Sequence, residues 1–209
     1  MNENLQILNC CNNKLSNLPA LNKALNELFC SCNKLIILPI LNESLEILSC
    51  FCNQLISLPN LNKNLKKLNC SNNQLISLPN LNETLVLLSC YNNKLIFLPN
   101  LNKNLSELNC SNNQLTFLPN LNKKLYELDF DSNPIYKILN SDSFTKIKSK
   151  IKIQYNFRFL YYSLKFKKQL RDWLWIKVRE PKIKDKYNPK YLLENLDDEI
   201  NLDYFLNNW

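Results

Sequence analysis

Leu65-Lys-Lys-Leu68-Asn-Cys70-Ser-Asn-Asn73-Gln-Leu75-Ile-Ser-Leu78-Pro79-Asn-Leu81 is one copy of a phrase that recurs along the chain at a fixed period of 20 residues. Its second leucine falls at Leu8, Leu28, Leu48, Leu68, Leu88, Leu108 and Leu128, and its asparagine at Asn13, Asn33, Asn53, Asn73, Asn93, Asn113 and Asn133. A constant period of this length is the mark of a stacked array, in which each repeat is too small to bury its apolar face alone and neighbours cover one another. Leu68-Asn69-Cys70 alternates in, out, in, which predicts a short strand. Leu65, Leu68, Cys70, Leu75, Leu78 and Leu81 form the expected inward set.

Two further positions set the path of each repeat. Asn73 and its equivalents follow the strand, where an amide side chain both donates and accepts and so satisfies turn groups that no strand partner reaches. Stacked at every step, they should form an asparagine ladder. Prolines at 19, 39, 59, 79, 99 and 119 fall in the return segments, where each disfavours a helix and favours an extended convex path.

Leu8-x-Cys10-x-x-Asn13-x-Leu15-x-x-Leu18-Pro19 and its six successors resemble the leucine-rich-repeat consensus in its shortest form. With Leu-Pro in the return segment, the phrase is similar to the repeats of effectors secreted by enteric bacterial pathogens. Asn133-Pro134-Ile135 resembles a closing repeat, with Phe130 replacing the ladder cysteine. The resemblance implies a leucine-rich-repeat solenoid, its parallel strands on a concave face and its extended segments on the convex side, over residues 1–139. A small basic helical module is expected over 140–209. Such effectors usually begin with a helical cap, which is not visible here. Some also carry a ubiquitin-ligase domain with a nucleophilic cysteine. The last cysteine here is Cys110, inside the repeats, so that activity does not transfer.

Composition narrows the chemistry. The 209 residues include no His and no Gly. The chain therefore has no imidazole base or ligand and no glycine-rich phosphate loop. Neither a catalytic residue nor a cofactor is expected. Met1-Asn-Glu-Asn-Leu5 leads straight into the first repeat, without the basic stretch and apolar run of a secretory signal. No run of about 18 apolar residues is present to span a membrane. The expectation is a cytoplasmic, non-secreted protein with its nine cysteines reduced. Cys10, Cys30, Cys50, Cys70, Cys90 and Cys110 form one inward column, read as small inert core residues. Cys30, Cys32, Cys50 and Cys52 are the one set whose spacing brings four sulfurs onto two neighbouring repeats, the number zinc takes. Position 32 lies where the chain turns, however, and no metal site is expected.

Outward strand positions are where solenoids of this kind bind partners. Phe29, Ile47, Phe51, Leu87 and Tyr91 place apolar and aromatic groups there, and exposed aromatics often mark interfaces. Glu107, Glu127, Asp129 and Asp131 form an acidic cluster at the carboxy-terminal end, suited to a basic partner. These nine residues are the candidate protein-binding site. An uncapped first repeat, Leu5 to Leu21, leaves a strand edge open, and a homodimer through that edge is a further expectation.

From Phe144 to Lys190 the chain carries 15 Lys or Arg against three acids, Asp172, Glu180 and Asp185; beyond Lys190 only acids occur. Apolar spacing predicts a helix over Asn156–Arg179 that caps the last repeat and ends at Pro181. A second short helix should open at Asn188-Pro189. Asp172-Trp-Leu-Trp-Ile-Lys-Val-Arg-Glu-Pro181, with Lys186-Tyr-Asn-Pro189 and Leu192, is similar to a tail of repeat proteins from amoebal giant DNA viruses of the mimivirus kind. That resemblance implies a host-cytoplasmic location and no particular activity. Lys165, Lys167, Lys168, Arg171, Lys177 and Arg179, interleaved with aromatics, are candidate nucleic-acid-binding residues. The leading functional reading is a non-enzymatic module that recognises a protein on the concave face. The alternatives are binding of nucleic acid or an anionic surface through the basic helix, or an adaptor that links a target to shared machinery.

Overall fold

A computed structural model describes residues 3–139 and 144–182. The element order is β1 (Ile7–Asn9), β2 (Glu27–Phe29), β3 (Ile47–Ser49), β4 (Lys67–Asn69), β5 (Leu87–Ser89), β6 (Glu107–Asn109), β7 (Glu127–Asp129), α1 (Tyr136–Leu139) and α2 (Phe144–Leu174), followed by a π-helical stretch, Trp175–Arg179. The strands form one parallel sheet in the order β1-β2-β3-β4-β5-β6-β7. Register is locked to the repeat: Leu28 faces Leu48, Leu48 faces Leu68 and Leu68 faces Leu88. The chain divides into two compact units, Met1–Tyr155 and Asn156–Trp209, and the boundary lies within α2.

In the first unit each 20-residue coil closes with the same backbone economy. One carbonyl before each strand accepts two amides of the next coil: Lys66 and Lys67 both donate to the Glu46 carbonyl, at 2.8 and 3.1 Å. This bulged entry aims the following leucine inward. The return segments between Leu78 and Leu85 and their equivalents form no helix, as the recurrent proline dictates. Leu65, Leu68, Cys70 and Leu75 are completely buried and Leu78 nearly so, while Leu81 packs half-buried against them. In the first coil Leu5, Leu8, Leu15 and Leu18 are only partly buried, with one neighbouring coil against them.

The asparagine ladder forms as expected. Asn73 Nδ2 donates to the carbonyls of Cys50 and Cys70, both at 3.1 Å, and its Oδ1 accepts Leu55 N–H at 2.9 Å. Each such side chain thus fastens its own turn to the preceding coil. A second ladder runs through the return segments. Asn102 Nδ2 donates to the Asn82 carbonyl at 2.6 Å and to Leu85 O at 3.0 Å, and Asn122 repeats the pattern one coil on. The column was visible as Leu-Asn at 61–62, 81–82, 101–102 and 121–122. Spacing alone does not show that the column bridges coils.

The last coil is closed by aromatic and aliphatic side chains. Phe130 is buried and meets Tyr136 edge-on, with ring centroids 5.6 Å apart. Ile135, Leu139, Ile147 and Ile151 join the same core, and Lys148 Nζ donates to the Leu125 carbonyl at 2.7 Å. The helix therefore begins at Phe144 and not at Asn156. Ile147 and Ile151, four apart and so on one helical face, supply the capping surface from a lysine-rich stretch that masks them in the sequence. Pro181 does not end the helix either, since helical geometry continues to Lys182. The wider π-helical turns at Trp175–Arg179 accommodate a proline that lacks its N–H and would crowd the carbonyl four residues back. Asn188-Pro189 and the acidic end lie outside the described residues.

Candidate functional site

Strand alternation buries the middle residue of each triplet and turns its neighbours outward, so that Leu28, Leu48, Leu68, Leu88 and Leu108 are buried and the flanking positions reach solvent. All nine candidate protein-binding residues lie on this outward sheet face, in three groups. Phe29 stands opposite Ser49, between Ile47 and Phe51 on the adjacent coil; these three are half-buried. Coil 4 interposes Lys67 and Asn69, while its Ser71, in the column of Phe51 and Tyr91, is buried. Leu87 and Tyr91 then form a second apolar group on coil 5. Glu107 pairs in register with Glu127, and Asp129 and Asp131 follow on the last coil.

Hydrogen bonds hold much of this face in place. Tyr91 Oη accepts Asn72 Nδ2 at 3.0 Å, and Ser71 and Ser89 hydroxyls meet at 2.8 Å. Lys66 and Glu46 form an exposed ion pair at 2.7 Å, a contact of little energetic weight at the surface. Tyr126 donates its hydroxyl to Glu107 Oε1 at 2.5 Å. That bond, ahead of burial and the nearby carboxylate charges, raises the phenol above its ordinary range. Tyr126 thus holds one member of the acidic cluster, Glu107, in place. Tyr126 continues the outward column of Glu46, Lys66, Val86 and Ser106 at the same 20-residue step.

The inward column is sealed. Cys30, Cys50, Cys70, Cys90 and Cys110 are fully buried. Burial pushes the Cys30 and Cys70 thiols up to about 12, and moves Cys50, Cys90 and Cys110 in the same direction. Cys32 and Cys52, by contrast, reach the surface, so the sulfurs of residues 30, 32, 50 and 52 are split between inside and outside. Among the described residues no group of three or more Cys, Asp or Glu side chains is arranged to hold a metal ion.

A third outward feature is a column of isoleucines. Ile36, Ile56, Ile76 and Ile96 stack one per coil and are 49%, 53%, 61% and 53% exposed. Each follows a buried leucine at a constant 20-residue step. That step was the available signal, but position alone does not tell whether such a residue faces in or out.

Lys165, Lys167, Lys168, Arg171, Lys177 and Arg179 are all exposed on the helical second unit. Lys167, Lys168, Arg171 and Arg179 line one cavity of about 870 Å³ with Trp175, whereas Lys165 and Lys177 stand outside it. Tyr161, Phe166 and Trp173 on the same helix are more than half exposed. No helix among the described residues is long and apolar enough to cross a membrane.

Repeat, sheet and asparagine ladder together define a leucine-rich-repeat solenoid. Among solved structures the chain is similar to YopM, a leucine-rich effector protein from Yersinia pestis, with 30% identity and a TM-score of 0.61 over 63% of this chain and 44% of that one. It is likewise similar to a Shigella effector LRR domain, with 34% identity and a TM-score of 0.59 over 63% of this chain and 60% of that one. The chain thus spans about half of these relatives' lengths. No family model matches it, and no curated protein does.

Proposed function

We propose that this protein acts by binding and not by catalysis, taking a protein partner on the outward, concave face of its sheet. The observation that carries this reading is the placement of Phe29, Ile47, Phe51, Leu87 and Tyr91 on a rigid, hydrogen-bonded face where solvent, not core, is opposite. Apolar and aromatic groups held in place bind with little further ordering cost. The acidic set Glu107, Glu127, Asp129 and Asp131 would add charge selection, favouring a partner with a basic rim. Similarity to effector repeat domains fits the same class of use. The test is affinity capture from cell lysate by the full chain, with and without nuclease. A discrete protein retained after nuclease treatment and lost with Phe51→Ala/Tyr91→Ala supports the reading; capture that vanishes with nuclease defeats it.

A second reading has its own observation. Four cations against one carboxylate, Asp172, line one helical cavity beside an indole, a net positive combination that suits a phosphate backbone with stacking bases. In that case the solenoid serves as the support, and charge reversal at Lys167, Lys168 and Arg171 abolishes binding while Phe51→Ala/Tyr91→Ala leaves it intact.

A further inference from the structure

At the corner after each strand the backbone turns through the left-handed region: Asn12, Cys32, Cys52, Asn72, Asn92, Asn112 and Ser132 all have φ between 50° and 56°. Asparagine suits this conformation and cysteine does not. Where asparagines stack, their side chains bond along the column: Asn92 Nδ2 donates to Asn72 Oδ1 at 2.6 Å, and Asn112 Nδ2 to Asn92 Oδ1 at 2.7 Å. Coils 2 and 3 alone carry cysteine at this corner, and they are neighbours.

The two corners superimpose along the stack. Cys32 N–H donates to Phe51 O at 2.9 Å and Cys52 N–H to Ser71 O at 2.9 Å, and φ is 55° and 56°, so both Cα–Cβ bonds leave the backbone in the same direction. Residues in register on paired strands are about 4.8 Å apart, inside the Cα range of about 4.4–6.8 Å over which a disulfide closes. Parallel Cα–Cβ bonds leave the Cβ atoms about as far apart, so closure draws them together to about 4.5 Å or less. Cys32 and Cys52 therefore occupy the same corner of adjacent coils, one directly after the other along the stack. Both are accessible, Cys52 the more so, while the five thiols of the inner column from Cys30 to Cys110 are sealed.

We infer that Cys32 and Cys52 are a surface dithiol that a peroxide closes into a disulfide, stapling coil 2 to coil 3. The Cys52 thiolate attacks one oxygen of hydrogen peroxide; the O–O bond breaks, the leaving hydroxide takes up the thiol proton as water, and Cys52 becomes a sulfenic acid. The Cys32 sulfur then attacks the Cys52 sulfur. The S–S bond forms, the S–O bond breaks, and a second water leaves with the Cys32 proton. The two sulfurs together lose two electrons and one peroxide is reduced to two waters. Cys52, the more exposed of the two, meets the peroxide first, and Cys32 on the adjacent coil resolves the sulfenic acid.

The test treats the reduced full-length protein with stoichiometric hydrogen peroxide, alkylates it under native conditions and maps its peptides without reduction, using fragmentation to assign each sulfur. The expected result is a Cys32–Cys52 bridge and the loss of two alkylatable thiols. The bridge persists in Cys11→Ser and is absent from Cys32→Asn and Cys52→Asn, each of which installs the residue other coils use. Independent sulfinic acids at the two positions, unreacted thiols, or a bridge from Cys10 or Cys11 to Cys32 would each overturn the inference.

Discussion

Asn73 reaches one coil back to donate its side-chain amide to the carbonyl of Cys50 at 3.1 Å. Every asparagine of this column from Asn33 onward does the same, so adjacent coils are fastened by side chain as well as by strand.

Asn73→Ala strands the amide of Leu55 and leaves the carbonyls of Cys50 and Cys70 with one side-chain donor each, Asn53 and Asn93. Leaving one buried amide unpaired costs roughly 1–3 kcal/mol, and each lost second bond to a carbonyl adds about 0.5–1 kcal/mol. The expected loss is about 2–4 kcal/mol by urea denaturation. A change below about 0.5 kcal/mol would mean that the strand bonds alone hold the stack.

The buried thiols make stability fall in alkali. Cys30 and Cys70 keep their protons to about 12 in the folded protein, against an ordinary value of 9.0. The unfolded chain therefore binds fewer protons between these values, and stability present below pH 9 is lost as pH rises toward 12, by up to about 1.4 kcal/mol per pH unit for each thiol. Cys70→Ala should be less stable at neutral pH yet show a shallower decline between pH 9 and 11. Parallel declines would contradict the assignment.

Ile151 is 1% exposed where the helix covers the last coil. Ile151→Ala should cost about 2–4 kcal/mol, read as a lowered thermal midpoint of the repeat unit. A chain ended after residue 155 should melt with the full-length repeat unit, and one ended after residue 139 should melt earlier.

Cys52 holds a left-handed φ of 56° without being glycine or asparagine. Cys52→Gly should stabilise the reduced protein by up to about 1 kcal/mol, measured by denaturation in the presence of reductant.

The repeat was legible because a period of 20 residues with strict alternation at Leu68-Asn69-Cys70 leaves one way to bury leucine, and the ladder at Asn73 follows from what an amide can bond. The sign of φ at Cys32 and Cys52 was not legible, since side-chain type gives no rule for cysteine there. Ile147 and Ile151 were hidden among lysines, whose long stems tolerate either side of a helix boundary. On the candidate face the columns of Phe29, Phe51 and Tyr91 were readable from spacing alone. The Tyr126–Glu107 bond was not, because it joins two columns and depends on side-chain reach.

The most direct measurement is the affinity of the captured protein partner for the full chain, by calorimetry, compared with two variants. Phe51→Ala/Tyr91→Ala should weaken binding by tenfold or more at unchanged thermal stability, and charge reversal at Lys167, Lys168 and Arg171 should leave it within twofold. The opposite pattern, binding indifferent to Phe51 and Tyr91 and lost with the cations, would contradict recognition by the sheet face and move the function to the basic helix.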